Sequence, residues 1–113
     1  AKNVIIERKG RGLTTELTIQ EVVKRVSNFT KVPEKKIVGK GRERKIAEAR
    51  QISAYLCRDV LGSTLVNIGM FLGGRDHTTI MYAYKNIEKR IEKEPRIRKT
   101  VETLKKEFNY NLS

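Results

Sequence analysis

The sequence predicts an all-α fold of five or six helices. Three observations point there. Apolar residues recur at spacings of three and four through most of the chain. Residues that start and stop helices bracket each such run. Strand-like alternation is absent apart from a weak stretch near Val4. At 113 residues the chain makes a single domain with a modest core.

The first 17 residues, AKNVIIERKGRGLTTEL, are mixed and broken by Gly-Arg-Gly. They read as a linker, or as the end of a connecting helix from an upstream domain, and leave 18–113 as the domain proper. From Thr18 the pattern sharpens. Thr18 followed by Glu21 forms a capping box, and Ile19, Val22, Val23, Val26 and Phe29 follow at helical spacing as far as about Thr30. Pro33 opens a short helical turn, PEKKIV, because proline is tolerated at a first helical position. Residues 39–45, GKGRERK, hold two glycines, four basic residues and one acid, and read as a mobile basic loop.

A second long helix is predicted over about 46–61, with Ile46, Ala49, Ile52, Leu56 and Val60 inward and Gly62 as its stop. Ser63 is expected to cap a short helix whose stripe is Leu65, Ile68 and Leu72, ended by Gly73-Gly74. Asp76 caps the next helix, with Ile80, Ala83, Tyr84, Ile87 and Ile91 on its inner face. Glu94-Pro95 breaks the chain, and a last helix carries Ile97, Val101, Leu104 and Phe108.

Charge narrows the function. Twenty-five Lys and Arg against 13 Asp and Glu give a net charge of +12, which predicts attraction to a polyanion, either nucleic acid or an anionic membrane face. No run of apolar residues is long enough to span a bilayer, and AKNVIIERKG lacks a signal-peptide core. The single cysteine, Cys57, excludes an internal disulfide, fits a reducing cytoplasm and is most simply a small core residue.

The stretch FLGGRDHTTIMYAY, residues 71–84, carries the chemistry and the only histidine. Short helix, glycine turn and longer helix outline a helix-turn-helix, preceded here by the basic loop. In such a unit the first residues of the second helix meet base edges in the major groove. Those residues are Asp76, His77, Thr78 and Thr79. A carboxylate accepts from a cytosine amino group, a threonine methyl packs on a thymine methyl, and histidine can donate or accept. Taken singly each has a plainer role: Asp76 as a cap, His77 as a surface residue, the threonines as ordinary first-turn residues. Arg75 stands just before the helix, within reach of a phosphate or a guanine, and Lys40, Lys45 and Arg50 lie on or near the loop as further candidates for phosphate.

The segment IGMFLGGRDHTTIMYAYKNI, residues 68–87, resembles the signature of the DNA-binding domain of DnaA, the bacterial initiator of chromosome replication. The likeness extends back through TIQEVVKRVSNFTKVPEKKIVGKGRERKIAEARQ, and so covers roughly 18–92. It implies binding of a short asymmetric duplex element, the DnaA box, repeated at the origin. The Asp-His-Thr-Thr cluster would read the major groove. A loop arginine, Arg42 by position with Arg44 close by, would enter the minor groove, where a narrow A·T-rich stretch concentrates negative potential. Phosphate contacts would fall near Gln51, Arg58, Leu65, Val66 and Arg75, the two apolar residues acting through backbone amides. An asymmetric site suits a monomer and requires no homodimer.

Departures from the family pattern are Glu48-Ala49 where arginine-proline is frequent, Leu65-Val66 where leucine-proline is frequent, and Glu43 between the two loop arginines. Full-length members carry a central AAA+ ATPase. This chain has no GxxxxGK[ST] loop, so ATP and Mg are expected only on an upstream domain, with no cofactor here. The expectation is a cytoplasmic, nucleoid-associated fragment.

Other function classes fare less well. Adjacent residues on a helix point about 100° apart, so Asp76 cannot orient His77 for catalysis. One histidine and one cysteine make no zinc site. No catalytic residue or metal is therefore expected. The alternatives are a stand-alone helix-turn-helix regulator and a basic module on acidic phospholipid, engaged through the basic amphipathic stretch NIEKRIEKEPRIRKTVETLKKEF, 86–108, or, as the family resemblance implies, through the N-terminal segment.

Overall fold

The computed structural model describes residues 18–112, with side chains to residue 108. The predicted linker and the weak strand near Val4 lie outside the described residues. Six helices follow in order: α1 Ile19–Thr30, α2 Glu34–Ile37, α3 Arg44–Asp59, α4 Leu65–Phe71, α5 His77–Lys93 and α6 Pro95–Leu112. No strand occurs among the described residues.

Helix α3 runs through the middle and packs against each of the other five. Its sequence explains why. Eight of its residues are buried, from Ile46 through the continuous run Ile52–Cys57, so more than one face must be covered. Ser53 is fully buried and donates to the Ala49 carbonyl at 2.9 Å, which satisfies its hydroxyl within the helix. Cys57 is fully buried, and desolvation pushes its thiol up to about 12.

Against α3 pack Val22, Val23 and Val26 of α1, Ile68 of α4, and Ile80, Ala83 and Ile87 of α5. The four predicted residues of α6, Ile97, Val101, Leu104 and Phe108, are all buried. Tyr55 stacks on Tyr84 with ring centroids 5.0 Å apart, and Lys105 sits over the Tyr55 ring while pairing with Asp59. The last helix is thus tied to α3 by both apolar and charged contacts.

Several expectations are corrected. Phe29 is 42% exposed, because it falls at the edge of the α1 stripe beside Lys24 and Asn28. Only half of the capping box forms: Thr18 Oγ1 accepts from the Glu21 amide at 3.1 Å, while Glu21 turns forward to Arg25. Pro33 is the residue before α2, one position earlier than expected. Helix α3 starts two residues before Ile46, so Arg44 and Lys45 belong to its first turn and not to the loop; it ends at Asp59, leaving Val60 only half-buried. The cap of α4 is Thr64 and not Ser63, whose carbonyl instead accepts from Arg58.

Candidate nucleic-acid interface

The α4–turn–α5 unit is built by two caps and one close approach. Thr64 Oγ1 accepts from the Asn67 amide at 3.1 Å and starts α4. After Leu72 the chain turns through Gly73 and Gly74, both left-handed, at φ +88° and +76°. The Arg75 amide then donates to the Gly69 carbonyl at 2.9 Å, folding the turn back onto α4. A Cβ on Gly69 would overlap the Arg75 carbonyl, so the helix needs glycine there for a steric reason. Asp76 Oδ1 accepts from the Thr79 amide at 2.9 Å and starts α5; that bond holds the Asp76 carboxyl below the usual carboxylate range.

Asp76, His77, Thr78 and Thr79 are all exposed. One Asp76 oxygen is committed to the cap, and the side chains of the other three lie on the open first turn. The exposed face continues along α5 through Met81, Tyr82 and Lys85. Those three were not singled out from the sequence, although helical spacing from Thr78 was the available signal.

The loop before α3 stands next to this turn. Lys40 and Arg42 are exposed, as are Arg44 and Lys45 on the first turn of α3 and Lys35 and Lys36 on α2. Lys35 and Lys36 were not among the residues singled out from the sequence, and they add exposed charge beside the loop. Arg50 points the other way. Its Nε donates to the Ile37 carbonyl at 2.7 Å, Nη1 to Gly41 at 2.9 Å and Nη2 to Lys36 at 2.9 Å. Arg75 reaches across as well, with Nη2 donating to the Gly39 carbonyl at 2.7 Å and Nη1 to the Leu72 carbonyl. The two guanidinium groups lie close enough that burial first, and then the Arg75 charge, lower the Arg50 pKa.

The remaining candidates fall into two places. Gln51 Oε1 accepts from Asn86 Nδ2 at 2.7 Å, joining α3 to α5 in a shallow cleft also lined by Arg44 and Arg90. Arg58, exposed, donates to the Ser63 carbonyl at 3.0 Å, at the junction leading into α4. Leu65 is half-buried and Val66 exposed. Their amides occupy the first turn of α4, where no carbonyl one turn back can receive them.

A model of the family described as the bacterial dnaA protein helix-turn-helix matches residues 19–87. The chain belongs to this bacterial DnaA helix-turn-helix family. Similar curated proteins are the chromosomal replication initiator proteins DnaA of Lactococcus lactis subsp. cremoris (39% identical over 94 residues, 83% of this chain and 21% of that protein), Enterococcus faecalis (37% over 109 residues, 96% and 24%) and Lactobacillus helveticus (41% over 98 residues, 87% and 21%). The chain therefore spans about a fifth to a quarter of the length of these DnaA relatives. The matched segment holds α1 to the middle of α5, including both caps, the loop and the glycine turn.

Glu48, expected from the resemblance to depart from the family pattern, joins three helices. Its carboxylate, on α3, accepts from Arg90 of α5 and Arg96 of α6. No described helix is long and apolar enough to cross a membrane, and no cluster of three potential metal ligands occurs among the described residues. Of the two segments considered for lipid contact, 1–17 lies outside the described residues, while the apolar stripe of 86–108, Ile87, Ile97, Val101, Leu104 and Phe108, is buried in the core.

Proposed function

We propose that this domain binds double-stranded DNA sequence-specifically, at elements of the DnaA-box kind, as the DNA-binding part of a replication initiator. The single observation that carries the reading is the exposed Asp76-His77-Thr78-Thr79 turn, presented at the start of α5 by a tight glycine turn, in a chain of net charge +12. A helix offered end-on in this way fits the major groove. Arg42, exposed on the adjacent loop, is assigned to the minor groove, with Arg44 supporting it from the first turn of α3. Phosphate is assigned to Lys40, Lys45, Gln51, Arg58, Arg75 and the amides of Leu65 and Val66. Arg50 is not assigned there, because loop carbonyls engage its Nε and both terminal nitrogens, whereas Arg75, whose terminal nitrogens hold the Gly39 and Leu72 carbonyls, is assigned through its Nε. ATP binding and hydrolysis are assigned to an upstream AAA+ domain, and the cell compartment to the cytoplasm at the nucleoid. The domain acts as a binding module without catalysis or a cofactor of its own, and as a monomer on each asymmetric element.

Selection of bound sequences from a random duplex pool, followed by salt titration on the enriched sequence, tests this. The expected result is one asymmetric consensus, bound with log K falling by about 0.9 per log unit of salt for each phosphate neutralised. A pool that enriches nothing, or affinity indifferent to salt, overturns it. Co-sedimentation with acidic phospholipid vesicles in the same buffer measures the lipid alternative.

A further inference from the structure

Of the five carbonyls that Arg50 and Arg75 hold between them, one is Leu72 in the turn and the other four belong to Lys36, Ile37, Gly39 and Gly41. These four span the end of α2 and the loop up to the residue before Arg42. Val38 lies in the same span, and a Cβ on Gly73 would come within 2.5 Å of its carbonyl oxygen. The root of the basic loop is therefore pressed on the glycine turn that launches α5. One arginine pulls from α3 and the other from the turn itself. Gly41 in turn packs on Ile46, where a Cβ would meet the Ile46 side chain at 3.2 Å.

We propose that Arg50 and Arg75 are positioning residues that set the offset between Arg42 and the first turn of α5, so that one domain reads a minor groove and the neighbouring major groove at a fixed spacing. This rests on the DNA-binding reading above. The physical reason is that the two grooves of a duplex lie a fixed distance apart. An arginine on a free loop would have to be ordered at binding, at an entropic cost. A loop already held at four carbonyls carries that cost before DNA arrives. A guanidinium suits the task because its donors form a rigid planar fork, which lets Arg50 address three carbonyls at once. Lysine offers the same charge from one point and cannot.

The test uses the 113-residue chain carrying Arg50→Lys, which keeps charge but loses the fork. Two readouts are taken. First, trypsin cleavage of the folded free protein after Lys40 or Arg42 is expected to rise by about tenfold, since a loosened loop opens more often; Arg75→Lys should act in the same direction. Second, the preference for an A·T-rich over a G·C-rich flank next to the enriched element should fall to that of Arg42→Ala. The double variant should be no worse than Arg42→Ala alone, because Arg50 acts through Arg42. The salt slope should stay as in the wild type, whereas losing a phosphate contact lowers it by about one. Unchanged cleavage in both lysine variants overturns the proposal, and so do losses that simply add in the double variant. A wild-type chain with no flank preference removes the minor-groove reading and the proposal with it. A wild-type preference that survives in Arg50→Lys removes the positioning role alone.

Discussion

Arg96 lays both terminal nitrogens on the Glu48 carboxylate, Nη1 to Oε2 at 2.9 Å and Nη2 to Oε1 at 3.0 Å. Arg90 adds Nη2 to the same Oε1 at 2.9 Å and closes a second fork on Glu94. The break at Glu94-Pro95 is therefore stapled to α3, and α6 starts from a fixed point. Glu48 is the hub, with a side chain only 17% exposed between two arginines.

The Arg96 hydrogen bonds, opposed by burial and helped by Arg90, hold the Glu48 carboxyl below its ordinary 4.5. A carboxyl lowered by folding stabilises the folded state above its unfolded value, and that contribution fades as pH falls through the folded value. Urea midpoints should therefore drop on going from about pH 6 to about pH 3. Glu48→Gln should cost about 1 kcal/mol at neutral pH and show a shallower fall in acid. The residual fall belongs to Glu94 and Asp76, whose carboxyls are also lowered. An equally steep fall in the variant counts against the hub.

Gly69→Ala should destabilise by about 1–3 kcal/mol, because the new methyl must push the Arg75 carbonyl and the turn away from α4. Gly62→Ala is the comparison. Open space surrounds its Cβ, so only the left-handed φ of +68° opposes it, at about 1 kcal/mol. Denaturant midpoints rank the two. Gly69→Ala should also weaken binding to the enriched duplex more than Gly62→Ala does.

His77→Ala and Thr78→Ala should each cost about 1–3 kcal/mol on the enriched duplex and much less on random duplex, with stability unchanged because both side chains are exposed. Asp76 needs a finer substitution, since it also caps α5. Asp76→Asn keeps a good cap and removes only the charge, so its binding loss can be separated from helix unfolding. Competition binding against both duplexes reads these differences, and equal losses on both would mean that the turn reads no bases.

Arg42→Ala should lose affinity most where the flank of the element is A·T-rich. Titrations on matched duplexes differing only in that flank check this. An equal loss on both flanks would place Arg42 on phosphate instead.

Lys31→Gly should stabilise by about 0.5–1 kcal/mol. Lys31 closes α1 at φ +67°, a left-handed conformation that glycine adopts without strain, and its amide still donates to the Ser27 carbonyl. Thermal melting gives the sign.

Much of this architecture is local and so is visible in the chain. Thr18, Asp76 and Gly73-Gly74 act within four residues of themselves, and their positions follow from capping and turn chemistry alone. The same logic slipped by one residue at Ser63 and Thr64, because both carry a hydroxyl and only the preceding turn decides which one faces the helix. It slipped by two at the start of α3, where Glu43 makes no side-chain cap hydrogen bond and no capping signal exists. The four exposed residues of the α5 turn were legible as a candidate site. The Arg75–Gly39 and Arg50–Gly41 contacts were not, since they join residues 36 and 9 positions apart through backbone carbonyls that no side-chain pattern marks. Phe29 shows the converse: helical spacing placed it on a stripe, but not within the width of the stripe that α3 covers.

Cys57 leaves the domain with an internal clock. A thiol with no accessible surface and its ionisation pushed up to about 12 offers alkylating reagents almost no nucleophile while the protein is closed. Labelling can then proceed only during excursions that uncover the inner side of α3. Because that helix touches all the others, the rate of modification reports how often the whole assembly breathes.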